Sequence, residues 1–139
     1  PRSRWYIKFL VAPALRAEGR RRPSRRAQIA RRHVEALRSR LATAMGTTAR
    51  RLEKLGLSLW TEPRGGLFLW ARLPDGLDSA AVARRALVQN VVLAPGNVFS
   101  VSQNAGAFLR FNVAQCAAPR IFEVLAEAMA GEDRIAAIL

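Results

Sequence analysis

Pro63-Arg64-Gly65-Gly66-Leu67-Phe68-Leu69-Trp70, continuing through Ala71-Arg72-Leu73, is the stretch from which the rest of the chain can be read. A proline followed closely by two glycines marks a turn, because proline fixes one backbone angle and glycine admits conformations that other residues avoid. Beyond it, Leu67 to Leu73 reads as a strand with Phe68 and Trp70 on one face and Leu67, Leu69 and Ala71 on the other. Both faces are apolar, so this strand is expected to be covered on both sides. Before the turn, Leu57 to Thr61 suits a short partner strand, and Pro74-Asp75-Gly76 ends the pair.

Working outward, Val34, Leu37, Leu41, Met45, Thr48, Leu52 and Leu55 recur at steps of three and four. That spacing lines one face of a long helix from about Ala27, with Gly56 placed to end it. After the strand pair, Asp78 is a good N-cap for a helix through about Val88, with Leu77 and Val82 positioned for a hydrophobic staple. Val91 to Ala94 reads as a third strand closed by Pro95-Gly96. Residues 97–106 suit an exposed loop, and Ala107 to Val113 a fourth strand. Pro119 opens a last helix whose stripe is Ile121, Phe122, Leu125, Ala126 and Met129. Upstream, Trp5 to Val11 reads as a short buried strand stopped by Pro13, and residues 16–26 as a solvated linker or irregular helix start. Residues 33–130 therefore form an α/β unit, an α+β two-layer arrangement of helix, strand pair, helix, two strands and helix.

Composition narrows the function classes. The net charge of +13 comes from 23 basic against 10 acidic residues, nearly all the cations being arginine. Twelve of those arginines fall before residue 41. Such a charge can attract nucleic acid or anionic lipid, so a small basic nucleic-acid-binding module is a competing reading. No apolar run approaches the roughly 20 residues of a membrane span. The single cysteine, Cys116, excludes an internal disulfide and fits a reducing, cytoplasmic setting. His33 lacks ligand partners at metal spacing, and Cys116 has no visible base, so neither a metal nor a catalytic residue is expected. Trp60, Phe68 and Trp70 read as core or domain-interface residues, and Gly65-Gly66 lacks the fingerprint of a phosphate loop.

Arg110 poses the sharpest question. It sits in Phe108-Leu109-Arg110-Phe111-Asn112, on the same strand face as Phe108 and Asn112. A guanidinium in a strand built for burial needs a partner. That partner is a bound carboxylate, gripped by the planar fork, or an internal Glu62, Asp75 or Glu123. Structural ion pairs outnumber ligand sites, so the residues by themselves weigh toward the internal pair.

Gly65-Gly66-Leu67-Phe68-Leu69-Trp70, Ala94-Pro95-Gly96-Asn97-Val98-Phe99 and Phe108-Leu109-Arg110-Phe111-Asn112, in this order, resemble the C-terminal small domain of fold-type I pyridoxal-phosphate aminotransferases. His33-Val34-Glu35-Ala36-Leu37-Arg38 resembles the start of that family's interdomain helix, and the wording around residues 92–99 and 108–115 resembles its MocR-type branch. The resemblance implies a long helix followed by a small mixed or antiparallel sheet with helices packed on one face. It implies a remnant strand of a large domain at 1–13, an arginine-rich linker at 14–32, the small domain at 33–130 and a tail at 131–139. It further implies that Arg110 holds the substrate carboxylate, that the strand opening at Gly66 walls the pocket, and that intact relatives move an amino group between amino acid and keto acid, commonly as dimers. Neither Lys8 nor Lys54 matches the family's cofactor-bearing lysine, which would lie at or before residue 1. The expectation is a truncated chain without covalent pyridoxal phosphate or transamination of its own, or a non-functional gene remnant.

Overall fold

The computed structural model describes residues 24–136, with side chains as far as Gly131. The expected strand at Trp5–Val11, Lys8 and most of the arginine-rich linker lie outside the described residues. Helix α1 spans Arg25–Lys54. Its first turn is capped by Ser24, whose Oγ accepts the Ala27 N–H at 3.3 Å. Arg25 and Arg26 thus belong to the helix itself. At the other end Leu57 N–H donates to Leu52 O at 3.1 Å and Gly56 N–H to Glu53 O at 3.0 Å. This closure needs a left-handed residue, and Gly56 supplies it at φ 84°. The expected stripe divides in two: Met45, Thr48 and Leu52 are buried, whereas Val34 and Leu37 are exposed.

Among the described residues four antiparallel strands form one sheet in the order β1-β2-β4-β3. They are β1 (Ser58–Leu59), β2 (Phe68–Arg72), β3 (Ala94–Pro95) and β4 (Phe108–Asn112). β2 and β4 pair over five residues, Phe68 opposite Asn112 and Trp70 opposite Arg110. Helix α2 spans Ser79–Val88 between β2 and β3, and α3 spans Pro119–Ala136 after β4. Asp78 Oδ2 caps α2 by accepting the Ala81 N–H at 2.9 Å.

Two strands are shorter than their sequences predict. β1 pairs only with the far end of β2, Ser58 opposite Arg72, and the bond from Trp60 N–H to Trp70 O at 3.0 Å ends the contact. The predicted tight turn at Pro63–Gly66 is therefore part of a wide loop; Pro63 has no N–H to continue a ladder. Before β3, Asn90 at φ 60° and the bond from Val91 N–H to Ala86 O close the end of α2. Val91 is thereby drawn into a helix terminus instead of a strand.

Alternation along β2 and β4 sends Leu69, Ala71, Leu109 and Phe111 into the core. There they meet Met45 and Leu52 of α1, Val82 and Ala86 of α2, and Phe122 and Leu125 of α3. The buried face of α3 is wider than its predicted stripe, since Val124 and Ala128 are buried while Ala126 is only half so. The opposite face of the sheet carries Phe68, Trp70, Phe108, Arg110 and Asn112. Among the described residues α1, α2 and α3 all pack on the Leu69–Phe111 face. Phe68 is 45% exposed and neighbouring Trp60 72%, so among the described residues the second face is open where the sequence predicted cover.

Candidate functional site

The open face is built around one guanidinium. Arg110 lies in β4, the strand between β2 and β3, opposite Trp70 on one side and Ala94 on the other. Its Cζ stands 3.6 Å from the ring centroid of Phe99 and 4.4 Å from that of Phe68. Contact at this range is attractive, because the electron-rich face of an aromatic ring meets the delocalised cation. Trp70 meets Phe99 edge-on at 5.9 Å, and Phe108 meets Trp60 edge-on at 5.3 Å, so the clamp is itself packed by aromatic neighbours.

Phe99 arrives from a short 3-10 turn, Gly96–Phe99. Gly96 has no room for a side chain: a Cβ there would overlap the Ala105 carbonyl oxygen and lie 2.9 Å from that of Phe108. Asn97 Oδ1 accepts the Ala105 N–H at 2.9 Å, tying the turn to the loop that returns into β4. The Pro-Gly corner, read in sequence only as a strand stop, thus delivers an aromatic ring to the central arginine.

The internal acidic partners weighed from the sequence are engaged or placed elsewhere. Asp75 pairs with Arg72 at 2.8 Å, while Glu62 and Glu123 are exposed. Among the described residues no carboxylate pairs with Arg110. Phe99 and Phe68 stand against it, and among the described residues no hydrogen-bond acceptor meets its N–H groups. Phe68, Arg110 and Asn112, with Ala94 and Gln115, border an open groove of about 500 Å³. Gly66 lies at the edge of this face, exposed, at φ 113°. Leu67 next to it is pinned by its carbonyl, which accepts the Val113 N–H at 2.9 Å. Gly66 therefore sits two residues from the Phe68 ring that stands over Arg110.

His33 is exposed on α1. Among the described residues no group of three His, Cys, Asp or Glu side chains is gathered to hold a metal ion, and no helix is long and apolar enough to cross a membrane. Cys116 is buried, and burial pushes its thiol pKa up. Phe68 and Phe99 as partners of Arg110 escaped the sequence reading. The available signal was the pairing of two apolar strands that would place Phe68 diagonally from Arg110.

The model of the family described as aminotransferase class I and II matches residues 3–127. The chain belongs to this family. Among relatives of this aminotransferase-family chain, the 2-aminoadipate transaminase of Thermus thermophilus is 40% identical over 55 residues, 40% of the chain and 14% of that protein. The HTH-type transcriptional regulator YdcR of Escherichia coli is 43% identical over 49 residues, 35% of the chain and 10% of that protein. The solved LysN alpha-aminoadipate aminotransferase of Thermus thermophilus, complexed with N-(5'-phosphopyridoxyl)-L-leucine, superposes with a TM-score of 0.57 at 29% identity. That match covers 75% of this chain and 27% of that one, so the chain spans about a quarter of the length of this relative. The small-domain resemblance and the α/β fold expected from the sequence both hold. The match also runs through the arginine-rich segment, so a separate nucleic-acid-binding module is not favoured.

Pyridoxal phosphate is the cofactor of the intact family. Holding it requires an amine for Schiff-base formation and donors for its phosphate. The lysine among the described residues, Lys54, is exposed at the C-terminal end of α1. The second cation on the open face, Arg72, is paired with Asp75. The described residues do not make up a cofactor site.

Proposed function

We propose that this chain supplies the substrate-carboxylate arginine of a pyridoxal-phosphate-dependent aminotransferase-like protein, with Arg110 as the anchor and the Gly66 turn as part of the pocket wall. The intact protein would move an amino group between an amino acid and a keto acid. One observation carries this reading: the guanidinium at the centre of the sheet has aromatic rings against it and no carboxylate of the described chain on its donors. A planar fork in that state suits two parallel hydrogen bonds to an incoming carboxylate.

In this reading residues 33–130 are the small domain, 1–13 a strand belonging to a large domain, 14–32 a linker and 131–139 a tail. The likeness to an HTH-type regulator supports the MocR-type branch. A dimer, and the cytoplasmic setting that a single buried thiol suits, complete it. The test is titration of the chain with L-leucine, the amino acid carried by the adduct in the Thermus relative. L-Leucinamide, which lacks the carboxylate, is the control. Leucine is expected to bind at least several-fold more tightly than leucinamide, and Arg110→Gln to erase the difference. Equal binding of the two compounds, or an unaffected Arg110→Gln, refutes the anchor. Added pyridoxal phosphate is expected to give no lysine-dependent absorbance band; such a band would overturn the inactivity of the chain by itself.

A further inference from the structure

We propose that Phe99 and Phe68 are positioning residues for the anchor, fixing the Arg110 guanidinium by its faces so that its donor edge is set before any ligand arrives. This rests on Arg110 being the carboxylate anchor. A long arginine side chain loses considerable rotamer freedom when it is fixed, and an anchor left free would lose it at the moment of binding. Proteins commonly preset an arginine with an acidic neighbour, but that neighbour consumes the donors a ligand needs. Here the fixing groups are aromatic. A centroid 3.6 Å from Cζ places the Phe99 ring against the face of the guanidinium, with Phe68 following at 4.4 Å. Rings in those places hold the cation and accept none of its in-plane hydrogen bonds.

The support behind the two rings differs, and the difference fits the role. Phe68 is fixed by the β2–β4 ladder, where it lies opposite Asn112. Phe99 lies outside the sheet, and its place is set by the turn whose first residue, Gly96, is wedged against two carbonyls. The side chain of Asn97 bridges that turn to Ala105. Phe99 remains 40% exposed, so its ring contributes modestly to the core. A large aromatic kept in a braced turn and pressed on a cation has more to do with that cation than with stability.

The experiment uses the full chain with the guanidinium Nε–Hε resonance of Arg110, assigned through Arg110→Gln, and the leucine titration. In the native chain that resonance is expected to show an aromatic ring-current shift and slowed Nε–Cζ rotation without ligand. Phe99→Leu is expected to lose both and to weaken leucine binding roughly 3- to 30-fold, the worth of one cation–ring contact. Phe99→Tyr, which keeps the ring, is expected to retain both signatures and bind within about twofold of native, the scale of one weak contact. Thermal unfolding of each variant separates this from a folding defect. Native-like leucine affinity in Phe99→Leu, or a freely rotating Arg110 in the native chain, overturns the positioning role while leaving the anchor intact. Leucine and leucinamide binding alike, with Arg110 still held rigid, removes the anchor reading and the positioning role with it.

Discussion

Replacing Gly96 by alanine tests the bracing of the Phe99 turn directly. The added Cβ would overlap the Ala105 carbonyl oxygen and come within 2.9 Å of the Phe108 carbonyl oxygen and 3.0 Å of the Phe108 Cβ. Neither carbonyl can retreat cheaply. Ala105 O accepts the Phe108 N–H at 3.0 Å, and Phe108 begins the central strand β4. Forcing one methyl into such a site costs about 1–3 kcal/mol. For a folded unit of about 110 residues each kcal/mol lowers the melting temperature by about 4 °C, so the expected drop is about 4–12 °C. The same chemical change at Gly46 should act in the opposite direction. There the new Cβ meets only the end of Arg50, at an ordinary 3.6 Å, inside α1. A helical Gly→Ala gains about 0.5–1 kcal/mol, or about 2–4 °C. Scanning calorimetry of both variants gives the comparison. A Gly96→Ala melting temperature equal to native would refute the claim that the turn is wedged.

Three further outcomes are expected. Leu52→Ala, at a fully buried position on α1, should destabilise by about 2–5 kcal/mol in urea unfolding. A loss below about 1 kcal/mol would contradict the packing of α1 on the sheet. Asp78→Ala should cost about 1 kcal/mol by releasing the Ala81 N–H, with Asp78→Asn recovering most of it. Cys116, whose thiol pKa is raised by burial, should react far more slowly with iodoacetamide than in denaturant, and an equal rate would show the thiol to be open. In the same group the neutral form is favoured by folding. Its contribution to stability is full below the ordinary thiol pKa and is lost as pH rises from there through the raised folded value, visible as a falling urea midpoint.

Much of the fold was legible because its signals are local. Gly56 and Asp78 mark helix ends through backbone geometry and a side-chain cap, which need no knowledge of distant residues. The alternation of Leu69 and Ala71, and of Leu109 and Phe111, identifies the buried face from period alone. The lengths of β1 and β3 were not legible, since pairing depends on which residues a partner strand presents. Nor was the openness of the Phe68–Trp70 face, because an apolar row reads alike whether it meets its own chain, another protein or water. Arg110 shows the same boundary. Three carboxylates were possible partners from the sequence; Asp75 turned instead to Arg72, three residues away, where a short turn brings the charges together. The rings on Arg110 come from positions 42 and 11 residues earlier in the chain.

The borders of the sheet bear on how this chain can meet other molecules. Among the described residues each outer strand has two paired residues, and one of the four, Pro95, has no amide hydrogen to offer. An invading segment would find too few free backbone groups to extend the ladder, so fibre-like growth along the hydrogen-bonding direction has little to start from. Association is left to side chains: the aromatic row on one side of the sheet and the exposed apolar residues of the first half of α1. Companions would thus be chosen by shape and charge, and the backbone would take no part in the choice.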